Sequence, residues 1–89
     1  MALGLFNKPV YDEIASTAKA FGDVMVKLGA KYKNVVVLDA NAGRFLNLGG
    51  FARAFPDRYF NFGNAESNMI AAAAGFTVRG KIPFLCSFS

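Results

Sequence analysis

The 89-residue sequence has no histidine and only one cysteine, Cys86, and each shortage excludes a class of chemistry. A Ser-His-Asp or Cys-His mechanism requires a histidine, so this chain cannot carry one by itself. Zinc sites depend on cysteine and histidine, so a zinc site is nearly excluded, and a single cysteine cannot form a disulfide framework.

Long apolar runs and clusters of basic residues are also missing. The longest apolar stretches fall far short of the roughly 20 residues that span a membrane. Residues 1–6 lack the basic lead and the length of a signal peptide. The ten Lys and Arg residues are scattered, so the net charge of +4 does not indicate nucleic-acid binding. We therefore expect a cytoplasmic protein whose partners include neither a membrane nor a nucleic acid.

Apolar residues are abundant, at 54% of the chain with ten phenylalanines. This composition excludes a disordered chain, and it exceeds what a lone small domain can hide, since such a chain buries only about 60–65% of its unfolded surface. We expect the purified chain to be poorly stable and to associate through exposed apolar surface.

The first predicted helix is marked by an apolar stripe at i, i+3, i+4 and i+7. The stripe consists of Phe21, Val24, Met25 and Leu28. Asp12 or Thr17 could begin this helix, and Gly29 is a natural end. Residues 1–15 are treated as a leader of uncertain structure, and residues 16–89 as one partial domain.

Short apolar runs predict three strands, at residues 35–38, 59–62 and 82–87. The first run is β-branched and continuous, which is typical of a parallel strand buried on both faces. Pro83 confines the third strand to a sheet edge or a strand start. With a short helix near residues 51–55 and another over residues 65–79, the order predicts an α/β fold with a three-layer parallel sheet, here incomplete.

Glu66 begins an almost wholly apolar helix that Gly80 closes, and this helix is predicted to be buried all round. The commoner explanation of Glu66 is a first-turn acid facing the helix dipole behind an Asn64 cap. The functional explanation requires a carboxyl group at a buried interface that shares a proton with a ligand nitrogen.

Asp39 and Asn41 follow the first strand, at the sheet edge where α/β proteins bind ligands. Polar residues at such a junction usually serve only the turn. Gly43, Gly49 and Gly50 do not have a phosphate-binding spacing, so no nucleotide loop is indicated.

Residues 51–69, FARAFPDRYFNFGNAESNM, are similar to the signature FA-x-x-FP-[DE]-RFF-x-x-GIAEQNM of the transketolase pyrimidine-binding domain. The resemblance continues through residues 73–75, 80–84 and 87–88, and it includes residues 36–40. It implies a thiamin diphosphate-binding fold of the pyrimidine type. The activity implied is transfer of a two-carbon ketol unit between sugar phosphates.

The resemblance assigns roles to three residues. Glu66 falls on the catalytic glutamate that hydrogen-bonds the cofactor's aminopyrimidine and activates it. Phe88 falls on an aromatic residue that packs against the pyrimidine ring, and Asn41 stands near the cofactor where the family usually has aspartate. The magnesium or calcium ion that holds the diphosphate belongs to a separate domain, so no metal site is expected here.

Two departures affect the expected substrate. Ala18 stands where the family has an arginine, and Phe45 where it has a serine, and both of those residues contact the sugar phosphate. Lys19 or Arg44, one position away in each case, could substitute.

The resemblance covers only the front of the pyrimidine domain, so we expect either a natural truncation or a fragment that is inactive alone. Its expected partner is a diphosphate-binding domain or subunit, in a homo- or hetero-oligomer. The alternatives are a deoxyxylulose-phosphate synthase, which has a histidine at the position of Asn68, and a pyruvate dehydrogenase β-type chain, which lacks the pair Asn68 and Met69. A non-catalytic remnant is the alternative from a different class.

Overall fold

A computed structural model describes residues 8–43 and 45–87, in which helices and strands alternate. The elements are helices α1 (Lys8–Lys31), α2 (Gly49–Ala54) and α3 (Glu66–Val78), a 3₁₀ turn (Pro56–Arg58), and strands β1 (Val35–Asp39), β2 (Tyr59–Asn61) and β3 (Ile82–Cys86). The strands form one parallel sheet in the order β2-β1-β3. The predicted α/β class and parallel sheet are therefore confirmed. None of the helices in the described ranges has both the length and the apolar character that crossing a bilayer requires.

The sheet lies between two helical layers, and β1 at its centre is buried along its whole length. The core on the side of α1 and α2 contains Met25, Val35, Val37, Ala42, Leu48, Phe51 and Cys86. The core on the side of α3 contains Val36, Leu38, Ala40 and Met69. Alternate residues of β1 enter opposite cores, as the pleat of a strand covered on both faces requires.

Helix α1 begins earlier than its sequence signals predict. It starts at Lys8, with Pro9 in its first turn, where a missing N–H costs nothing. Neither predicted cap begins it, because Thr17 lies inside the helix and its hydroxyl donates to the Glu13 carbonyl at 2.9 Å. The helix also runs across the predicted boundary between residues 15 and 16, and that division stays a prediction.

Gly29 does not end α1, which continues to Lys31. A Cβ at Gly29 would lie 2.7 Å from the Phe55 ring and 2.8 Å from the Phe51 ring. The glycine is therefore a contact point between α1 and α2 rather than a stop. The predicted stripe is also wrong at Val24, which is 49% exposed, while Met25 is buried.

Arg58 fastens the end of α1 to the start of β1. Its Nε donates to the Val35 carbonyl at 2.9 Å, and its Nη2 donates to the carbonyls of Gly29 at 2.8 Å and Tyr32 at 3.0 Å. Its guanidinium also lies 4.3 Å from the centre of the Phe55 ring. One side chain thus satisfies carbonyls that the helix end leaves without intrahelical partners.

Two sequence signals at the end of α3 are confirmed. Gly80 has φ +81° and donates its N–H to Thr77, while Lys81 donates to Phe76, which is the Schellman arrangement that closes a helix. Pro83 lies in β3, an edge strand of the sheet, where a missing N–H is tolerated.

The prediction that α3 is buried all round is wrong for this chain. Met69 is buried and Phe76 packs against Phe60 with ring centres 5.1 Å apart. Ile70 and Val78, by contrast, are 62% and 87% exposed. The described residues offer α3 only one surface, the sheet, so the apolar residues on its other sides have nothing to pack against.

We predict that the 89-residue chain self-associates through this exposed side of α3. Replacing both Ile70 and Val78 with lysine should lower the association measured by light scattering, because it removes exposed apolar area without touching either core. Val24→Lys on α1 is the control and should change association less. A monomeric parent chain that melts in one sharp transition would contradict the prediction.

Candidate functional site

A cleft of about 500 Å³ opens at the carboxyl ends of β1 and β2. Parallel strands bring their last residues and the following loops to this edge, which is where α/β sheets bind ligands. The cleft is lined by Asp39, Asn41, Gly43, Gly49, Tyr59 and Asn61. The strand–loop junction at which the sequence suggested a ligand site therefore borders this cleft. The lining of the cleft combines one carboxylate with amide and hydroxyl groups.

Asp39 is the last residue of β1 and is 1% exposed. Its Oδ1 accepts the Ala42 N–H at 2.7 Å, which is the turn role that the sequence favoured. Its Oδ2 accepts a hydrogen bond from the Tyr59 hydroxyl. A buried carboxylate is tolerated when hydrogen bonds replace its water, and here one backbone group and one phenol do so.

The Asp39 carboxylate also contributes to the raised pKa values of two neighbouring groups, the Tyr59 hydroxyl and the Cys86 thiol. Burial, and then the hydrogen bond to Asp39, raises the pKa of the Tyr59 hydroxyl well above its usual value. Burial, and then the charge of Asp39, raises the pKa of the Cys86 thiol to about 11. Both groups therefore stay protonated at neutral pH, and the Cys86 thiol is a poor nucleophile there.

The segment between β1 and α2, residues 40–48, is called the β1 loop. At Gly43 this loop lies directly over Asp39 and Tyr59, since a Cβ there would be 2.6 Å from the Asp39 Oδ2 and 2.9 Å from the Tyr59 hydroxyl. Its other end passes α1 at Gly22, where a Cβ would be 2.0 Å from the Asn47 carbonyl oxygen. Two glycines therefore allow the loop to lie close to both the sheet and the helix.

Asn41 projects from the β1 loop in a left-handed backbone conformation, with φ 60°. Asparagine tolerates this conformation better than most residues do. Its Nδ2 donates to the Asn64 Oδ1 at 3.3 Å, and so the β1 loop contacts the loop that leads from β2 into α3. Asn61, the last residue of β2, accepts the N–H of Gly63 on that second loop at 2.8 Å.

Glu66 is the first residue of α3, and it is exposed. The predicted Asn64 cap is wrong, because the N-cap residue is Ala65, it makes no side-chain bond, and the Asn64 amide oxygen is taken by Asn41. No hydrogen bond or ion pair holds the Glu66 carboxylate within residues 8–43 and 45–87. The functional explanation of Glu66 requires a buried interface. The described residues of this chain do not form one around it.

Of the other residues that the resemblance singled out, Phe88 and Arg44 lie outside the described residues. Ala18 is half-buried on α1, and Phe45 is 61% exposed on the β1 loop. The Lys19 carbonyl accepts the Asn47 amide at 3.1 Å, so this part of α1 lies beside that loop.

Tyr59 and Asn61 also line the cleft, although their local sequence pattern indicates only a strand. The parallel register places Asn61 opposite Asp39 and Tyr59 opposite Val37, so the phenol reaches forward along the sheet to the carboxylate. One signal for this pair is present in the sequence. Tyr59 lies two residues before the end of β2, and the neighbouring strand β1 ends in Asp39.

We predict that the stability of the fold declines as the pH rises from about 9 to about 11. The Cys86 thiol has its pKa raised in the folded state, so its contribution is complete below the unfolded pKa and is lost as the pH approaches the folded one. The raised pKa of Tyr59 acts in the same direction at higher pH. Urea unfolding across this range measures the effect, and Cys86→Ala should weaken it. Equal stability at both ends of the range would contradict the prediction.

A family model described as the transketolase pyrimidine-binding domain matches residues 13–89. A Methanocaldococcus jannaschii protein described as a transketolase carboxyl-terminal section is 49% identical over 71 residues, which are 80% of this chain and 22% of that protein. A 1-deoxy-D-xylulose-5-phosphate synthase of Frankia casuarinae is 36% identical over 84 residues, which are 93% of this chain and 13% of the synthase.

A solved structure of a split-gene transketolase, an inactive β4 tetramer, has a similar fold with a TM-score of 0.67 and 45% identity. The match covers 78% of this chain and 23% of that one. The chain thus spans less than a quarter of the length of each of these relatives.

Proposed function

The chain belongs to the transketolase pyrimidine-binding domain family, and on that premise we propose that it forms the pyrimidine side of a thiamin diphosphate site. Glu66 is the proposed residue that shares a proton with the aminopyrimidine, and Asn41 and Phe88 are the proposed cofactor contacts. The reaction proposed is transfer of a two-carbon ketol unit between sugar phosphates, in the cytoplasm.

The placement of Glu66 carries this proposal. Its carboxylate stands exposed at the start of α3, on the same sheet edge as the cleft, and the described residues neither cap the helix with it nor pair it. An acid kept only for the helix dipole could stand at several first-turn positions, whereas a cofactor nitrogen needs one fixed carboxyl group. This carboxylate remains available to such a partner.

The polar groups at this edge of the sheet also fit an aminopyrimidine, which presents both hydrogen-bond donors and acceptors. Glu66 can hold or release a proton, and the Asn41 amide offers a donor and an acceptor. When bound, thiamin diphosphate supplies a ring that stabilises a carbanion, which side chains cannot provide. The chain's own part is to orient the cofactor and to hold one proton at the Glu66 carboxyl.

We further propose that a diphosphate-binding domain or subunit, carrying magnesium or calcium, covers Glu66 and the exposed side of α3. The exposed Ile70 and Val78 support this, because apolar surface of this kind is usually covered by a partner. The oligomer proposed is homo- or hetero-oligomeric, and the similar split-gene transketolase is itself a tetramer.

A second candidate is part of a 1-deoxy-D-xylulose-5-phosphate synthase, which the identity to the Frankia casuarinae enzyme favours. Product analysis separates the two. The full-length protein that carries this chain, loaded with thiamin diphosphate, should transfer a ketol unit between sugar phosphates and should form no 1-deoxy-D-xylulose 5-phosphate. Formation of that compound would favour the synthase, and binding of the cofactor without either product would favour a non-catalytic remnant.

A further inference from the structure

Asp39, which is buried, and Tyr59, which is half-buried, form a hydrogen-bonded pair whose role the proposed function leaves open. Neither carries a proposed cofactor contact, yet the hydrogen bond between them lies at the floor of the cleft. Asp39 is almost fully buried at the end of the central strand, and removing a carboxylate from water has a large free-energy cost. The core on this side of the sheet is otherwise apolar.

The pair is in direct contact with the β1 loop. The Asp39 Oδ1 accepts the Ala42 N–H, and its Oδ2 is held by Tyr59 on the neighbouring strand. Gly43 then passes over both groups so closely that a single added methyl would collide with them. The first turn of the loop is therefore hydrogen-bonded to the Asp39 carboxylate, and the Tyr59 hydroxyl donates a hydrogen bond to the same carboxylate.

The β1 loop in turn contacts the segment that enters α3. Asn41, in its left-handed conformation, lies between Asp39 and Ala42 and donates to Asn64. Asn64 is two residues before Glu66, the first residue of the helix. A path of hydrogen bonds and chain neighbours, whose link between the two loops is the exposed bond of 3.3 Å from Asn41 to Asn64, thus joins the Asp39–Tyr59 pair to the backbone from which Glu66 projects.

We infer that Asp39 and Tyr59 are positioning residues, which hold the β1 loop in the shape that its contact with Asn64 requires. Through that contact the pair sets the position of Asn41 in the cleft and of the start of α3, from which Glu66 projects at the same sheet edge. This inference rests on the proposed function of Glu66, because it assigns the pair to the same site. Neither Asp39 nor Tyr59 needs to touch the cofactor.

The test compares Tyr59→Phe with Tyr32→Phe in the full-length protein loaded with thiamin diphosphate. Both variants lose one phenol hydroxyl, but Tyr32 is 45% exposed and its ring lies beside Lys31, away from the cleft. Tyr59→Phe should lower kcat by about 10- to 100-fold, the scale of a small misplacement of a catalytic group, with KM largely unchanged. Tyr32→Phe should keep the parental kcat.

A second readout does not depend on turnover. In Tyr59→Phe the side-chain amide resonances of Asn41 and Asn64 should move, while those of Asn34, which donates to the Gly80 carbonyl at the opposite end of the sheet, should stay in place. Gly43→Ala should reproduce both effects, because its added methyl would press on the Asp39 and Tyr59 oxygens and displace the loop while both side chains are retained. It replaces Tyr59→Phe if that variant does not fold.

The pair should also act as one unit. The double variant Asp39→Asn with Tyr59→Phe should lower kcat no further than the worse single variant. Unchanged amide resonances, or a kcat equal to that of Tyr32→Phe, would overturn the positioning role. If Glu66→Gln also keeps the parental turnover, the proposed function fails. If Glu66→Gln abolishes turnover while Tyr59→Phe does not lower it, only the positioning role fails.

Discussion

Glu66→Ala should lower the turnover of the full-length, cofactor-loaded protein by about 10²–10⁴-fold, the usual loss when a positioned acid–base group is removed. Glu66→Gln should lower it to a similar degree, because the amide keeps the shape of the side chain but cannot exchange a proton in the same way. Steady-state kinetics measures both variants. Their melting temperatures should stay close to that of the parent, since the Glu66 side chain is exposed and makes no hydrogen bond or ion pair among the described residues.

Glu13→Gln is the matched control for this pair of variants. Glu13 is also an exposed glutamate on a helix, but it lies on α1, on the other side of the sheet. Its replacement should leave turnover unchanged. If Glu66→Ala and Glu13→Gln have equal turnover, the catalytic role is contradicted, and Glu66 is only a first-turn acid that interacts favourably with the helix dipole.

Arg58→Ala should lower the free energy of unfolding by about 3 kcal/mol, because hydrogen bonds to a charged group contribute about 1.5–3 kcal/mol and these three share one side chain. The change leaves the carbonyls of Gly29, Tyr32 and Val35 without this donor and removes the stack on Phe55. Urea unfolding of the chain measures the loss.

Arg58→Lys tests whether the planar fork matters rather than the charge. A lysine ammonium cannot direct donors from two different nitrogens at separate carbonyls, so this variant should recover less than half of the lost stability. Arg79→Ala, an exposed change at the end of α3, should stay within about 0.5 kcal/mol of the parent. A loss in Arg58→Ala no larger than that in Arg79→Ala would contradict the bridging role.

The elements that could be predicted from the sequence are those in which local signals and packing agree. The β-branched run of β1, the left-handed Gly80 and the edge position of Pro83 each follow from backbone chemistry near one residue. Gly29 shows the opposite case. Its signal as a helix end is local. The need for glycine at this position comes instead from the rings of Phe51 and Phe55, which pack against it from more than twenty residues away in the sequence.

The site was predictable only in part, for a related reason. The sequence located the carboxyl edge of β1, where Asp39 and Asn41 do line the cleft. The bond from Tyr59 to Asp39 depends on strand register, which no local pattern records. Burial of α3 was overestimated because an apolar helix indicates that it will be covered, but does not indicate by which part of the protein.

The most direct test of the central claim is hydrogen–deuterium exchange at C2 of bound thiamin diphosphate, in the full-length or reconstituted protein. This exchange reports activation of the cofactor before any sugar is bound, so it does not depend on the identity of the substrate. Glu66→Ala and Glu66→Gln should slow it by about 10²–10⁴-fold relative to the parent, with the cofactor still bound. Exchange in Glu66→Ala as fast as in the parent, at full cofactor occupancy, would contradict the assignment of Glu66.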